Sequence, residues 1–270
     1  MPDNSAKPTQ SDNPLLVVRG HVAELLINAP DRKNALPLAA WSRIPELLAE
    51  LAESPDIRVC VVKGAGGRDF CAGADISEFE TIRSTPEAAK HYDNINVAAF
   101  KALKALDIPV VAAIKGPCLG GGLGVALACD LRLASRSAFF GIPAAKLGLA
   151  YPPEALGDLL EAISASNAKQ LLFTGERISA ERALQIGLIN EMVEDGSLDE
   201  RISKLTDSLC ANAPLSLKAA KGAIALLNRP EETRDLQTAL QDAQTCIDSA
   251  DYKEGYRAFL EKRAPVFKGV

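Results

Sequence analysis

The chain has 270 residues, 47% hydrophobic and 24% charged, with 30 Lys plus Arg against 35 Asp plus Glu and a net charge of −5. That length fits one large domain with ample core, and the acidic balance argues against a broadly basic nucleic-acid-binding face. Only two histidines, His21 and His91, are present, which removes the usual parts of metal sites and histidine-based triads.

Residues 1–13 are polar, without the apolar core of a signal peptide, and read as a disordered tail. Residues 15–19 and 21–28 flank Gly20 as an antiparallel hairpin. Residues 37–53 carry Leu38, Trp41, Ile44, Leu48 and Leu51 at helical spacing, with Pro45 as a candidate interruption. The runs 58–63 (RVCVVK) and 109–115 (PVVAAIK) are short buried-strand patterns, each closed by glycine. The likeness of IRVCVVKG (57–64) to IPVVAAIKG (108–116) hints at a repeated strand-turn-helix unit. After about residue 140 the strand signal fades. Residues 168–173, 179–186, 198–211, 215–227, 231–249 and 251–262 read as helices. The expected layout is an α/β core over 14–195, followed by a helical region over 196–270 that packs on the core or on a neighbouring subunit.

The cysteines at 60, 71, 118, 129, 210 and 246 form no CxxC pair and read as apolar thiols of a reducing compartment. No run reaches the roughly 18 apolar residues of a membrane helix, so a cytoplasmic protein without membrane insertion, bound metal or nucleic acid is expected.

Two glycine-bearing segments carry the chemistry. One is Asp69 to Ile76 (DFCAGADI); the other is Gly116 to Gly124 (GPCLGGGLG). A dinucleotide fingerprint starting at Gly120 fails at Val125. A P-loop starting at Gly116 fails because Gly122-Leu123 stands where Lys-Ser/Thr is needed. Glycines at a strand-to-helix junction still allow close backbone approach and leave first-turn N–H groups unpaired, which favours negative charge. Tight helix–strand packing accounts equally well for Gly120 to Gly122 taken alone.

Further segments complete a pattern: Asn28-Ala29-Pro30 with Asn34-Ala35-Leu36, Ala128-Cys129-Asp130, Phe140-Gly141-Ile142-Pro143, Leu147-Gly148-Leu149, TGERISAERALQIGLINE (174–191) and Phe267-Lys268-Gly269. In this order over roughly 14–270 the chain resembles the crotonase superfamily, also called the enoyl-CoA hydratase/isomerase family. The resemblance implies a crotonase-like spiral of repeated ββα units that trimerises, as a trimer or a dimer of trimers. It implies an acyl- or enoyl-CoA substrate, whose coenzyme A moiety is bound without any covalently attached cofactor. It places the two backbone donors of an oxyanion hole at Ala74 and Gly121. It also puts Arg32, Lys33, Ala35, Ala72, Asp75, Ile76, Phe267 and Lys268 around the coenzyme A, with Lys262 and Arg263 near its phosphates.

The resemblance departs where hydration chemistry needs carboxylates. The two glutamate positions of similar hydratases hold Gly124 and Ala144, and the single-carboxylate position of other relatives holds Pro152. The nearest acids are Glu154, taken as the acid/base candidate, and Asp158 behind it; both also suit a helix's first turns. Tyr151 and Cys118 read as packing residues, Asp75 as a brace for its loop, His91 as a helix-surface residue and His21 as solvent-facing. The leading expectation is enolate chemistry of the isomerase or lyase type. The alternatives are a non-catalytic acyl-CoA-binding protein of the same fold, or an atypical hydratase.

Overall fold

The computed structural model describes residues 13–270, so residues 1–12 of the expected tail lie outside the described residues. Strands β1 (Leu15–Arg19) and β2 (Val22–Ile27) form the hairpin about Gly20. Helix α1 (Leu38–Ala52) runs through Pro45 unbroken. Trp41, Ile44, Leu48 and Leu51 are buried on one side of it, and that burial offsets the single N–H the proline removes.

Strand β3 (Val59–Gly64) leads through α2 (Phe79–Ile82) and α3 (Pro86–Lys104) to β4 (Val110–Ile114). Strand β5 (Pro117–Leu119), helix α4 (Gly121–Leu127) and strands β6 (Leu131–Ser135) and β7 (Phe139–Gly141) follow. Helices α5 (Pro153–Ala162) and α6 (Ala165–Thr174) precede the short β8 (Ile178–Ser179), α7 (Ala180–Gln185) and β9 (Glu191–Val193). The chain ends in α8 (Leu198–Ala211), α9 (Pro214–Leu227), α10 (Leu236–Asp248) and α11 (Ala250–Glu261).

The fold is mixed α/β. A six-stranded sheet has the order β1-β2-β3-β4-β6-β9, parallel except for the first hairpin. A second sheet holds β5, β7 and β8. The two likened segments are neighbours, with Cys60 opposite Val110, and each continues into the second layer, where Cys71 bridges to Cys118.

Alternation along the strands divides the core. Cys60, Val62, Val110, Ala112 and Ile114 join the large cluster with α1, α3 and α4. Val59, Val61, Val111 and Ala113 face the other way, against Leu198 and Ile202 of α8. Thus α8, on the far side of the expected 195/196 boundary, covers one face of the sheet.

The structure corrects two sequence expectations. Strands continue past residue 140 as β7, β8 and β9, each two or three residues long and too short to show a periodicity. The helix expected over 231–249 begins at Leu236, after a 3-10 turn at Glu231–Thr233, because the Asp235 side chain caps it by accepting from Gln237 N–H at 3.0 Å. The C-terminal helices are tied down by polar contacts. Arg58 donates to the carbonyls of Cys210 and Phe267, each at 2.7 Å, and Lys221 donates to Ile108 O and to Asp130. No residue of α9 or α10 is buried, and Ile224, Leu240, Phe259 and Leu260 are exposed.

Candidate active site

The loop after β3 is laced to the loop before α1. Ala72 N–H donates to Lys33 O at 3.0 Å, Leu36 N–H to Gly73 O at 2.8 Å and Asp75 N–H to Leu36 O at 3.0 Å. Ala74 N–H therefore takes no part in this ladder and points to its other side. Asn34 holds the arrangement together: its side chain accepts from Ala29 N–H and donates to Ala65 O and Asp69 O.

The second loop joins the first. Cys71 N–H donates to Pro117 O, Leu119 N–H returns to Cys71 O, and Gly120 N–H bonds Gly141 O at 2.9 Å. Gly120 has φ 51° and ψ −119°, and Gly73 has φ 101°, so both need glycine. Gly121 opens α4, where its N–H has no intrahelical acceptor. A Cβ built on Gly121 would lie 3.8 Å from Ala74 N and 2.8 Å from the Trp41 ring, so the two donors sit side by side beneath the indole.

These donors open into a cleft of roughly 760 Å3 counted with its mouth. Ala72 and Ile76 line it near the donors; Trp41, Tyr92, Asn96 and Phe100 form one wall, and the 142–152 segment forms another. The hydroxyl of Tyr151 donates to Gly120 O at 3.2 Å, so it braces the turn that aims the Gly121 N–H. Asp75 accepts from the Ser77 N–H and hydroxyl and from Arg32 at 2.5 Å. The Ser77 hydroxyl, helped by Arg32, holds this carboxyl below its usual range against the opposing effect of burial.

The family model described as enoyl-CoA hydratase/isomerase matches residues 18–270. The chain belongs to the enoyl-CoA hydratase/isomerase family. It is 36% identical to the (E)-benzylidenesuccinyl-CoA hydratase of Thauera aromatica, over 94% of this chain and 98% of that one. It is 35% identical to the short-chain-enoyl-CoA hydratase of Clostridium acetobutylicum, over 93% and 96%. In structure it is similar to an enoyl-CoA hydratase/carnithine racemase from Magnetospirillum magneticum, with TM-score 0.90, 36% identity and coverage of 94% and 95%.

Within this enoyl-CoA hydratase/isomerase frame, the two carboxylate positions have a physical explanation. A Cβ on Gly124 would meet the Phe100 ring at 2.5 Å, and that ring is locked edge-on against Trp41 at 5.8 Å and 89°. An aromatic side chain therefore fills the volume a residue-124 carboxylate would need. Ala144 lines the cleft with a methyl group. Glu154 is exposed on the first turn of α5, outside the lining, although its neighbour Pro152 is part of it. Asp158 is buried and paired with Lys104.

The carboxylate found among the lining residues is Asp93, ion-paired with Arg83 at 2.6 Å. Arg83 in turn lies over the rings of Phe79 and Tyr92. The sequence suggests a helix over 88–100 flanking the site, and its residues Tyr92, Asp93, Asn96 and Phe100 line the cleft, whereas His91 is exposed and the lining residues were not singled out. The available signal was the i, i+4, i+8 spacing of Tyr92, Asn96 and Phe100.

The remaining candidates are scattered. Lys33 is exposed and Ala35 is buried beside the donor ladder. Phe267 lines a separate hollow with Tyr252 and Tyr256, and Lys268 N–H donates to Asp251. Arg263 pairs with Glu254 and Glu261, while Lys262 is exposed. His21 is exposed, with a ring nitrogen 2.6 Å from Asp56 O. Cys71 and Cys118 are buried, and burial pushes the Cys71 thiol up to about 12 and Cys118 well above the usual thiol range, so neither is a ready thiolate. Among the described residues no helix is long and apolar enough to cross a membrane, and no three His, Cys, Asp or Glu side chains are grouped to hold a metal ion.

Proposed function

We propose that this protein binds an acyl- or enoyl-CoA thioester, stabilises its enolate between the Ala74 and Gly121 N–H groups, and carries out enolate chemistry such as double-bond isomerisation in preference to two-glutamate hydration. The observation that carries this reading is the pairing of two adjacent free donors with Phe100 packed against Gly124. The cleft can hold negative charge on the thioester oxygen, but it lacks the carboxylate pair that would activate water. Loss of a proton beside the thioester places charge on that oxygen. Return of the proton at the same carbon gives exchange, and return further along an unsaturated chain moves the double bond.

Asp93 is assigned the proton, because it stands on the cleft wall while Glu154 faces solvent. Arg32 and Lys33, beside Ala35, Ala72, Asp75 and Ile76, serve the coenzyme A. Arg32 spends one guanidinium nitrogen on Asp75 and leaves its exposed remainder for phosphate. The apolar outer faces of α9 to α11 are assigned to a homo-oligomer, which brings Phe267 and Lys268 of one copy to the coenzyme A of the next.

Incubation with short enoyl-CoA thioesters in deuterated water tests the reading. Deuterium at the α- or γ-carbon, retained in Glu154→Gln and lost in Asp93→Asn, is the expected result. Loss in Glu154→Gln instead moves the proton to α5. Coenzyme A thioester binding with no exchange and no turnover overturns the catalytic reading in favour of a binding protein.

A further inference from the structure

Among the residues lining the cleft two carry charge, Arg83 and Asp93, while Ile76, Phe79, Leu147 and Leu149 give much of the rest an apolar surface. Arg83 follows the last turn of α2, and its guanidinium lies 5.3 Å from the centre of the Phe79 ring and 5.1 Å from that of Tyr92. Both distances are within reach of a cation–π contact, so the two rings fix the group in the wall. Asp93 accepts from Nη1 at 2.6 Å and more loosely from Nη2 at 3.5 Å, which uses one edge of the guanidinium. Among the described residues the Nε–H takes no partner, and it is not one of the buried polar atoms left unpaired, so it keeps access to open volume. The two side chains also differ in exposure, 36% for Asp93 against 12% for Arg83. Water therefore screens the carboxylate more than it screens the guanidinium, and the pair presents residual positive charge to the cleft.

We infer that the free edge of Arg83 receives a carboxylate at the far end of the acyl chain, so that the substrate is a coenzyme A thioester of a dicarboxylic acid. This rests on the thioester reading above and names its substrate class. Beside the edge held by Asp93, a guanidinium offers a second fork, Nε–H with the outer Nη–H, which matches the two oxygens of a carboxylate. A hydrocarbon chain laid over Arg83 would strip water from those donors and return nothing. A carboxylate replaces that water with charge-assisted hydrogen bonds. A site built to bond a polar group rejects the chain that lacks it far better than an apolar slot rejects a missing methylene. Asp93 keeps its own edge of Arg83 and stays available for the proton. Its charge limits the affinity, because two carboxylates then share one cation.

Calorimetric titration with pentanoyl-CoA, 4-carbamoylbutanoyl-CoA and glutaryl-CoA compares an apolar, a neutral polar and a carboxylate chain of equal carbon count. Succinyl-CoA against butanoyl-CoA and adipyl-CoA against hexanoyl-CoA place the carboxylate one methylene nearer and farther. In at least one of the three pairs the carboxylate chain is expected to bind about 10- to 100-fold more tightly than its apolar partner, the worth of a charged hydrogen-bonded pair, with the amide between them. Arg83→Gln is expected to bring that ratio towards one, and Arg83→Lys to keep part of it. Asp93→Asn, which removes the competing charge, is expected to widen the ratio several-fold. A purely structural ion pair would move the Arg83 and Asp93 variants in the same direction. No preference for the carboxylate in any pair, or equal weakening of both chains in Arg83→Gln, overturns this inference and leaves the thioester reading standing. Failure of every thioester to bind overturns the thioester reading itself. Where a variant misfolds, the wild-type ratios still decide.

Discussion

At the end of the cleft proposed for the thioester the lining presents main-chain N–H groups of Ala74 and Gly121, whereas along the α1–α3 wall it presents the side chains of Trp41, Tyr92, Asn96 and Asp93. The first set is held by a backbone ladder and by glycines that no other residue can replace without strain. The second set is held by helix packing and can be exchanged one residue at a time. On the proposed function, charge stabilisation is thereby insulated from substitution, while the choice of substrate and the route of the proton remain open to it.

Gly124, where the two regions meet, is the place to break this division first. Gly124→Glu is expected to destabilise the protein by about 3–5 kcal/mol, because the side chain collides with Phe100 and buries a charge without a partner. Urea unfolding measures this. Adding Phe100→Ala should recover part of the loss, so the pair will be non-additive.

At the thioester end, Gly121→Ala puts a methyl 2.8 Å from the Trp41 ring and crowds the donors. The deuterium exchange rate should fall by about 100-fold, the order of one lost oxyanion donor. Coenzyme A affinity should change far less, because Arg32, assigned to its phosphate, lies on the loop before α1 and away from the new methyl. Tyr151→Phe removes the hydroxyl bond to Gly120 O and is expected to cost about 1 kcal/mol by thermal unfolding, with a several-fold slower exchange. A larger effect on rate than on stability would show that the donor turn needs this brace.

The smallest effect belongs to Asp75, which caps the 3-10 turn after the first donor. Asp75→Asn should lower stability by about 1 kcal/mol near neutral pH. Its folded carboxyl titrates below the ordinary 3.8, so its contribution is complete above that value and fades as pH falls through the folded value. Wild type and variant should therefore converge in acid, and a gap that widened there would contradict the assignment.

The donor loops entered through the family resemblance, since the glycines of 120–122 taken alone suit tight packing equally well. The hairpin at Gly20, α1 and the paired strands β3 and β4 were legible directly, because there local pattern and local structure agree. Phe100 against Gly124 was not, since the clash joins two helices and appears only once α3 packs on α4. Tyr92 and Asn96 stood at helical spacing, but spacing alone does not say which face of a mixed helix turns inward. Glu154 drew attention because it sits near the departed carboxylate positions in sequence; α5 turns it to solvent.

The packing of Phe100 over Gly124 also constrains the routes open to a lineage. A carboxylate arriving first at 124 meets a ring that cannot retreat while Trp41 holds it. A shrunken residue arriving first at 100 leaves a hole in the core and no gain in chemistry. Either order passes through a weakened protein, so a carboxylate at 124 requires both changes nearly together, and a two-carboxylate site needs Ala144 replaced besides. While Phe100 stays there, single substitutions reach the side chains of the cleft wall far more easily than they place an acid at 124.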